Sequence, residues 1–393
     1  MASDGGSPLV ERMRGFTSTI FAEMTALAQA TGAVNLGQGF PDTDGPDSLL
    51  DAAISAIRSG ANQYPPGRGV PALREAVSVH QRDWYGLEVD PATEVLVTTG
   101  ATEAIAATVL ALCEPGDEVV VLEPYYDSYA AAIALAGAVR RTVPLLAPDF
   151  GVDRERLAAA FGPRTRLVLL NSPHNPTGRV LSPDELAAVA SLAREHDAIV
   201  VTDEVYEHLV FGGTTAAQHV PIASLPGMAE RTLTISSAGK TFSVTGWKIG
   251  WLHGPAELVD AVLAVKQFLT FVSGSPFQPA VARALGAPAP EFTARADDLG
   301  RRRELLAGGL ADAGFDVHLP QAGYFVLADA APLGYSDGLA LSRELPALAG
   351  VVGVPVQVFC DDPTTAPSLL RFAFCKRDDV LLDAVARLRS LRR

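Results

Sequence analysis

Short apolar runs separated by longer segments of helical period dominate the middle of this chain. Six runs read as strands: Glu94–Thr98, Glu118–Glu123, Arg166–Asn171, Ala198–Thr202, Arg231–Ser236 and Lys248–His253. Continuous stretches such as Glu-Val-Val-Val-Leu-Glu suit strands buried on both faces, as in a parallel sheet covered by helices. Helical patterns lie between them at Thr102–Cys113, Asp127–Gly137 and Ser182–His196. The last opens with Ser-Pro-Asp-Glu: Ser182 reads as N-cap, Pro183 as the first helical residue and Glu185 as the capping-box partner. Strands alternating with helices predict an α/β fold with right-handed crossovers.

After about residue 285 the pattern changes. A polar, Arg-rich helix near residues 295–308 leads to shorter strands at Phe315–His318, Tyr324–Leu327 and Leu370–Phe374, as in a smaller α+β unit. No internal repeat or low-complexity linker divides the two, so they are expected to pack tightly or to be non-consecutive. The first eight residues, rich in Gly, Ser and Asp, are expected to be unstructured. No apolar h-region follows, and no run reaches about eighteen apolar residues, which predicts a soluble, cytoplasmic protein. The 31 basic and 45 acidic residues give a net charge of −14, against a role in binding nucleic acid. Three scattered cysteines, Cys113, Cys360 and Cys375, form no CxxC or zinc spacing. They predict free thiols and neither a disulfide framework nor a metal site.

Open α/β sheets bind ligands beyond the carboxyl ends of their strands, so those ends are where chemistry is expected. The first strand runs into Gly100-Ala101-Thr102-Glu103 and a helix, either a phosphate site at a helix N-terminus or an ordinary tight turn. The third ends in Asn171-Ser-Pro-His-Asn175-Pro-Thr-Gly178, where Asn175 serves either the turn or a ligand. The fourth ends in Thr202-Asp203-Glu204-Val205-Tyr206. A carboxylate there caps the next segment or meets a cation or N–H, such as a pyridinium. The fifth leads to Ser236-Ser237-Ala-Gly-Lys240, and a lysine beside a buried strand end is costly unless paired or covalently used. An acid, an amide, an amine and phosphate donors at four neighbouring strand ends together fit one cofactor: a phosphorylated pyridine aldehyde.

With these blocks the sequence resembles the class I/II aminotransferases, fold-type-I pyridoxal-phosphate enzymes similar to aspartate aminotransferase. Within them it is most similar to the branch of kynurenine/glutamine transaminases and actinobacterial N-succinyldiaminopimelate aminotransferases. The matching blocks run from Asn35-Leu-Gly-Gln-Gly-Phe-Pro-Asp42 through Asn62-Gln-Tyr64-Pro-Pro-Gly-Arg68-Gly to Leu370-Arg371-Phe-Ala-Phe-Cys-Lys376. The resemblance implies a large cofactor-binding domain over residues 46–288, and a small domain built from residues 1–45 and 289–393. It implies that Lys240 holds the aldehyde of pyridoxal 5'-phosphate and then shuttles the substrate's Cα proton. Asp203 would face the pyridinium nitrogen, and Tyr206 and Asn175 the cofactor's O3′. Ala101, Thr102, Ser237 and Lys248 would hold the phosphate; aspartate aminotransferases carry arginine at the last of these positions. Tyr126 resembles the residue that stacks on the ring, although a core aromatic is its alternative. Arg371 and Gly39 would bind the substrate α-carboxylate, and Asn175 would contact the substrate as well as the cofactor. Tyr64 would reach the neighbouring subunit's phosphate, which implies a homodimer with shared sites.

The implied reaction moves an amino group from an L-amino acid to a 2-oxo acid such as 2-oxoglutarate, in two half-reactions. An N-succinyldiaminopimelate donor is favoured on overall resemblance. Arg68 is the candidate for its distal carboxylate, unless it is a solvent-facing loop residue. The alternative is a kynurenine, glutamine, methionine or aromatic donor held by Phe16–Phe21 and Phe271–Phe277, with cysteine-conjugate β-lyase activity as a further option. A non-catalytic sensor would need a basic DNA-binding region, and none is evident.

Overall fold

A computed structural model describes residues 8–16, 19–212 and 217–391. Most of the amino-terminal stretch expected to be unstructured, and part of the Phe16–Phe21 segment, lie outside the described residues. In chain order the strands are β1 (Val34–Asn35), β2 (Val95–Thr99), β3 (Glu118–Glu123), β4 (Val139–Pro144), β5 (Thr165–Asn171), β6 (Ile199–Asp203), β7 (Thr232–Ser237), β8 (Ile249–His253), β9 (Asp316–His318), β10 (Phe325–Asp329), β11 (Val351–Val352), β12 (Val354–Pro355) and β13 (Leu369–Ala373).

Seven of them form the central sheet, in the order β2-β8-β7-β6-β5-β3-β4. The pairs from β7 through β6, β5 and β3 to β4 are parallel, and β8 runs antiparallel to both its neighbours. The architecture is therefore α/β with a mostly parallel sheet. The six predicted strands all lie in this sheet. The seventh, β4, escaped the sequence reading because Val-Arg-Arg-Thr-Val-Pro is a half-exposed edge with alternating burial, unlike the apolar runs. The capping box at Ser182 forms as expected, with Glu185 donated to by the Ser182 N–H and Ser182 Oγ by the Glu185 N–H.

Helices pack on both faces of the sheet. On one face Ile105, Val109 and Ile133 meet Val119, Val121 and Leu169; on the other Leu186, Val189 and Ala193 meet Val120, Val168 and Val200. A second sheet, β12-β13-β10-β9, is antiparallel and sits among the carboxyl-terminal helices. The amino-terminal strand β1 pairs in parallel with β11, and Leu36 accepts the Ala373 N–H at 2.7 Å. Both ends of the chain thus build this second region, and its strand β13 delivers Arg371 to the carboxyl ends of the large sheet.

Candidate active site

The carboxyl ends of β5, β6 and β7 open into a cavity of about 360 Å³. Its walls include Gly39, Ala101, Thr102, Tyr126, Asn175, Asp203, Tyr206, Ser237, Lys240, Lys248 and Arg371, which is every residue expected to hold the cofactor or the α-carboxylate except Tyr64. Tyr64 is 82% exposed, edge-on to Phe271, and takes no part in this chain's own cavity. Arg68 also stays outside. Its guanidinium is held by Asp260 and by the Thr93 carbonyl at 3.0 Å, so in this chain it is committed to a surface pair.

Lys240 follows β7 in a single helical turn, Ala238–Thr241, capped by Ser237, whose hydroxyl accepts the Gly239 N–H at 3.2 Å. Its Nζ donates to the Tyr324 hydroxyl at 2.5 Å, and that hydroxyl donates to the Gly39 carbonyl at 2.6 Å. Burial, with the nearby positive charges of Arg371 and Lys248, outweighs the pull of Asp203 and brings the amine down to about 8. A lysine so tuned is neutral in roughly one molecule in ten at pH 7 and in that form can act as nucleophile or base.

Asp203 ends β6, its side chain fully enclosed. It accepts from the Tyr129 hydroxyl at 2.7 Å and from the Val205 N–H at 3.3 Å. Burial lifts its carboxyl to about 6 despite those donors and Lys240. An acid in this state lacks a cation, which a pyridinium N–H supplies. Asn171 shapes the loop beside it: its amide donates to the Asp203 carbonyl at 2.8 Å and its carbonyl accepts the Asn175 N–H at 2.7 Å. Asn175 in turn accepts from Arg371 Nη1 at 3.1 Å.

Arg371 lies on the interior face of β13 and is only 2% exposed. Nη2 donates to the Gly37 carbonyl at 3.1 Å, and the guanidinium lies 3.9 Å from the centre of the Phe325 ring. Its buried Nε has no partner, and desolvation brings even this group down to about 10. A buried cation held by neutral acceptors and rings is a site for a carboxylate.

At the opposite end, the helix Gly100–Leu112 starts where β2 stops, with Ala101 and Thr102 in its first turn. The chain comes unusually close here: a Cβ on Gly250 would lie 2.6 Å from the Gly100 carbonyl carbon, so only glycine lets β8 pass. Lys248 takes a left-handed conformation (φ 54°) that turns its side chain back toward Gly100. A cation facing a helix N-terminus forms a cradle for a dianion. Carboxylate, amine and anion cradle therefore match the three ends of a phosphorylated pyridine aldehyde.

Tyr129 and Tyr324 were not singled out from the sequence. Tyr129 sits inside an apolar helical pattern and Tyr324 at the start of a small-domain strand; neither carries a local signal.

A family model for class I and II aminotransferases matches residues 31–388. The chain belongs to this family. It is 53% identical to a probable N-succinyldiaminopimelate aminotransferase, DapC, of Mycobacterium tuberculosis, over 97% of this chain and 98% of the relative. It is 40% identical to the methionine aminotransferase of Escherichia coli, over 95% and 96%. The solved structure of N-succinyldiaminopimelate aminotransferase from Mycobacterium tuberculosis superimposes with a TM-score of 0.95 at 54% identity, covering 98% of this chain and 100% of that one. Membership in the family makes this chain an aminotransferase, with the fold-type-I architecture expected of it. Among the described residues no helix is long and apolar enough to cross a membrane.

Proposed function

We propose that this aminotransferase uses pyridoxal 5'-phosphate to transfer an amino group between an N-succinylated diamino-diacid and 2-oxoglutarate. The observation that carries the chemistry is the convergence of Lys240, Asp203 and Arg371 on one cavity, where burial moves the amine toward its neutral form and makes the buried acid and the buried guanidinium each favour a countercharge from a ligand. The substrate assignment rests on the similarity to the mycobacterial relative.

When bound, the cofactor supplies an aldehyde and a ring that withdraws electrons once its nitrogen is protonated. Asp203 would keep that nitrogen protonated, and Tyr129 holds Asp203 in place. Ala101, Thr102, Ser237 and Lys248 would hold the phosphate, and Tyr126, Asn175 and Tyr206 would hold the ring and its O3′. Arg371, with Gly39 beside it, takes the substrate α-carboxylate and so fixes the Cα–H bond relative to Lys240. Lys240 Nζ would hold the aldehyde until the substrate's amine displaces it; the amine so freed would accept the substrate Cα proton and deliver it back to the carbon that had carried the aldehyde. Burial of Asp203, Lys240 and Arg371 strengthens each of these interactions.

The same reading includes a homodimer in which Tyr64 serves the partner's site. Its exposure, with that of Phe268 at 83% and Phe271 at 46%, supports a covered apolar face on this side. The cations lining the cavity (Lys240, Lys248 and Arg371) are each assigned, so a distal carboxylate needs a group from beyond this lining. Phe21 and Phe40 at the mouth favour the second reading, a methionine, kynurenine or aromatic donor. A half-reaction screen decides. The loaded enzyme should lose its visible absorbance fastest with N-succinyl-LL-diaminopimelate, and slower with kynurenine, methionine and glutamine. Faster bleaching by the apolar donors overturns the substrate assignment; pyruvate and ammonia without amino transfer overturn the reaction.

A further inference from the structure

A second cluster of chemistry-bearing side chains lies outside the cavity. His80 comes from the helix Pro71–Tyr85, and Glu207 and His208 from the turn after β6. His80 Nε2 and His208 Nε2 face each other at 2.6 Å, with ring planes at 81°. One oxygen of Glu207 completes a set of three donor atoms within 4.8 Å of one another. All three side chains are buried, at 3%, 5% and 8% exposure.

This arrangement leaves a charge to be explained. Glu207 is a buried carboxylate, and among the described residues the groups around it are the imidazoles of His80, His208, His219 and His253 and two hydroxyls, Ser236 Oγ at 2.5 Å and Tyr85, with no lysine or arginine. The one imidazole committed to a carboxylate nearby, His219, serves Glu204 at 2.8 Å. The two facing nitrogens are in hydrogen-bond contact, and an ion between them would take the place of that bond.

We propose that His80, Glu207 and His208 form a binding site for a divalent transition-metal ion of the zinc class. Two imidazoles and one carboxylate are a mixed N/O set, which suits zinc and its neighbours rather than magnesium or calcium, whose sites are built from oxygen. Three protein donors leave a coordination position for a water. Ser236 and Tyr85 orient Glu207, the kind of outer-shell support metal carboxylates require. The cysteine spacing that argued against a metal site carries no information about this one, because its ligands are histidines and a glutamate from distant segments.

The site acts by positioning. Glu207 directly follows Tyr206, and Ser236 directly precedes Ser237, so an ion here clasps the helix Pro71–Tyr85 against the backs of two active-site segments. None of its ligands lines the catalytic cavity.

The test uses the cofactor-loaded enzyme, prepared without a metal-affinity tag, stripped with a chelator, incubated with zinc chloride and desalted. Elemental analysis should find close to one zinc per chain, and zinc-edge anomalous scattering should place it between His80 and His208. Retention should fall roughly tenfold or more in His208→Gln and Glu207→Gln. Zinc should raise the thermal midpoint of the wild type by several degrees and leave that of the variants unmoved. Wild-type enzyme that retains no zinc, variants that retain as much as wild type, or an anomalous peak elsewhere each overturn the proposal. If a variant fails to fold, the wild-type stoichiometry and the anomalous peak still decide it.

Discussion

The state of Lys240 is the quantity on which the proposed chemistry turns, and it can be measured without the cofactor. At an ordinary value of 10.5 about three amines in ten thousand are neutral at pH 7; at about 8, roughly one in ten is, a gain on the order of 300-fold. The chain has only four lysines, Lys240, Lys248, Lys266 and Lys376, so each can be followed by peptide mass spectrometry. Cofactor-free enzyme treated with trace acetic anhydride across pH 6–11 should give a Lys240 profile with its midpoint near 8. Asp203 favours the charged amine, so Asp203→Asn should lower that midpoint and speed Lys240 labelling at pH 7, while transamination collapses. A midpoint near 10.5, or slower labelling in Asp203→Asn, would refute the reasoning. The same shift carries a stability consequence of definite sign. Folding lowers this group's value, so the folded state resists its protonation; the penalty is complete below about pH 8 and fades as pH rises to 10.5. Lys240→Met should therefore raise the thermal midpoint of the cofactor-free protein at pH 7, offset in part by the lost hydrogen bond to Tyr324, and this gain should shrink toward pH 10.

Arg371→Lys keeps a charge but loses the planar pair of donors and the stacking on Phe325; KM for the amino acid should rise on the order of 10- to 100-fold, as steady-state kinetics will show. Tyr129→Phe removes a donor that lowers the Asp203 value, so Asp203 should titrate above about 6 and the cofactor should dissociate on the order of tenfold more readily in equilibrium dialysis. In Gly39→Ala the new Cβ would lie 2.1 Å from Phe325 Cζ, beneath Arg371; a raised KM and a loss of about 1–3 kcal/mol in denaturant titration are expected. If the site is shared, mixing a Lys240→Ala enzyme with a Tyr64→Ala enzyme should generate hybrid dimers that regain activity in one of their two sites, whereas a self-sufficient chain would give none.

What could be read from the sequence divides along a physical line. Strand-end chemistry was legible because an apolar run and the polar residue that ends it are adjacent: Asp203 follows four buried residues of β6, and Lys240 stands three residues beyond β7. Groups that act through partners far along the chain were not legible. Tyr129 reaches Asp203 across 74 positions and Tyr324 reaches Lys240 across 84, each from an apolar segment where a tyrosine reads as core. Arg371 was found only through family resemblance, for its partners Gly37 and Asn175 lie 334 and 196 positions away. Arg68 shows the converse: a loop cation with no local partner was open to a substrate role until the fold brought Asp260 to it across 192 positions. His80 and His208, 128 positions apart, belong to the same class. Candidate groups at strand ends are thus announced by local contrast, whereas the residues that touch and tune them are defined by which segments the sheet order makes neighbours. It follows that changes at Tyr129 and Tyr324 should alter the titration of Asp203 and Lys240 more than they alter the fold.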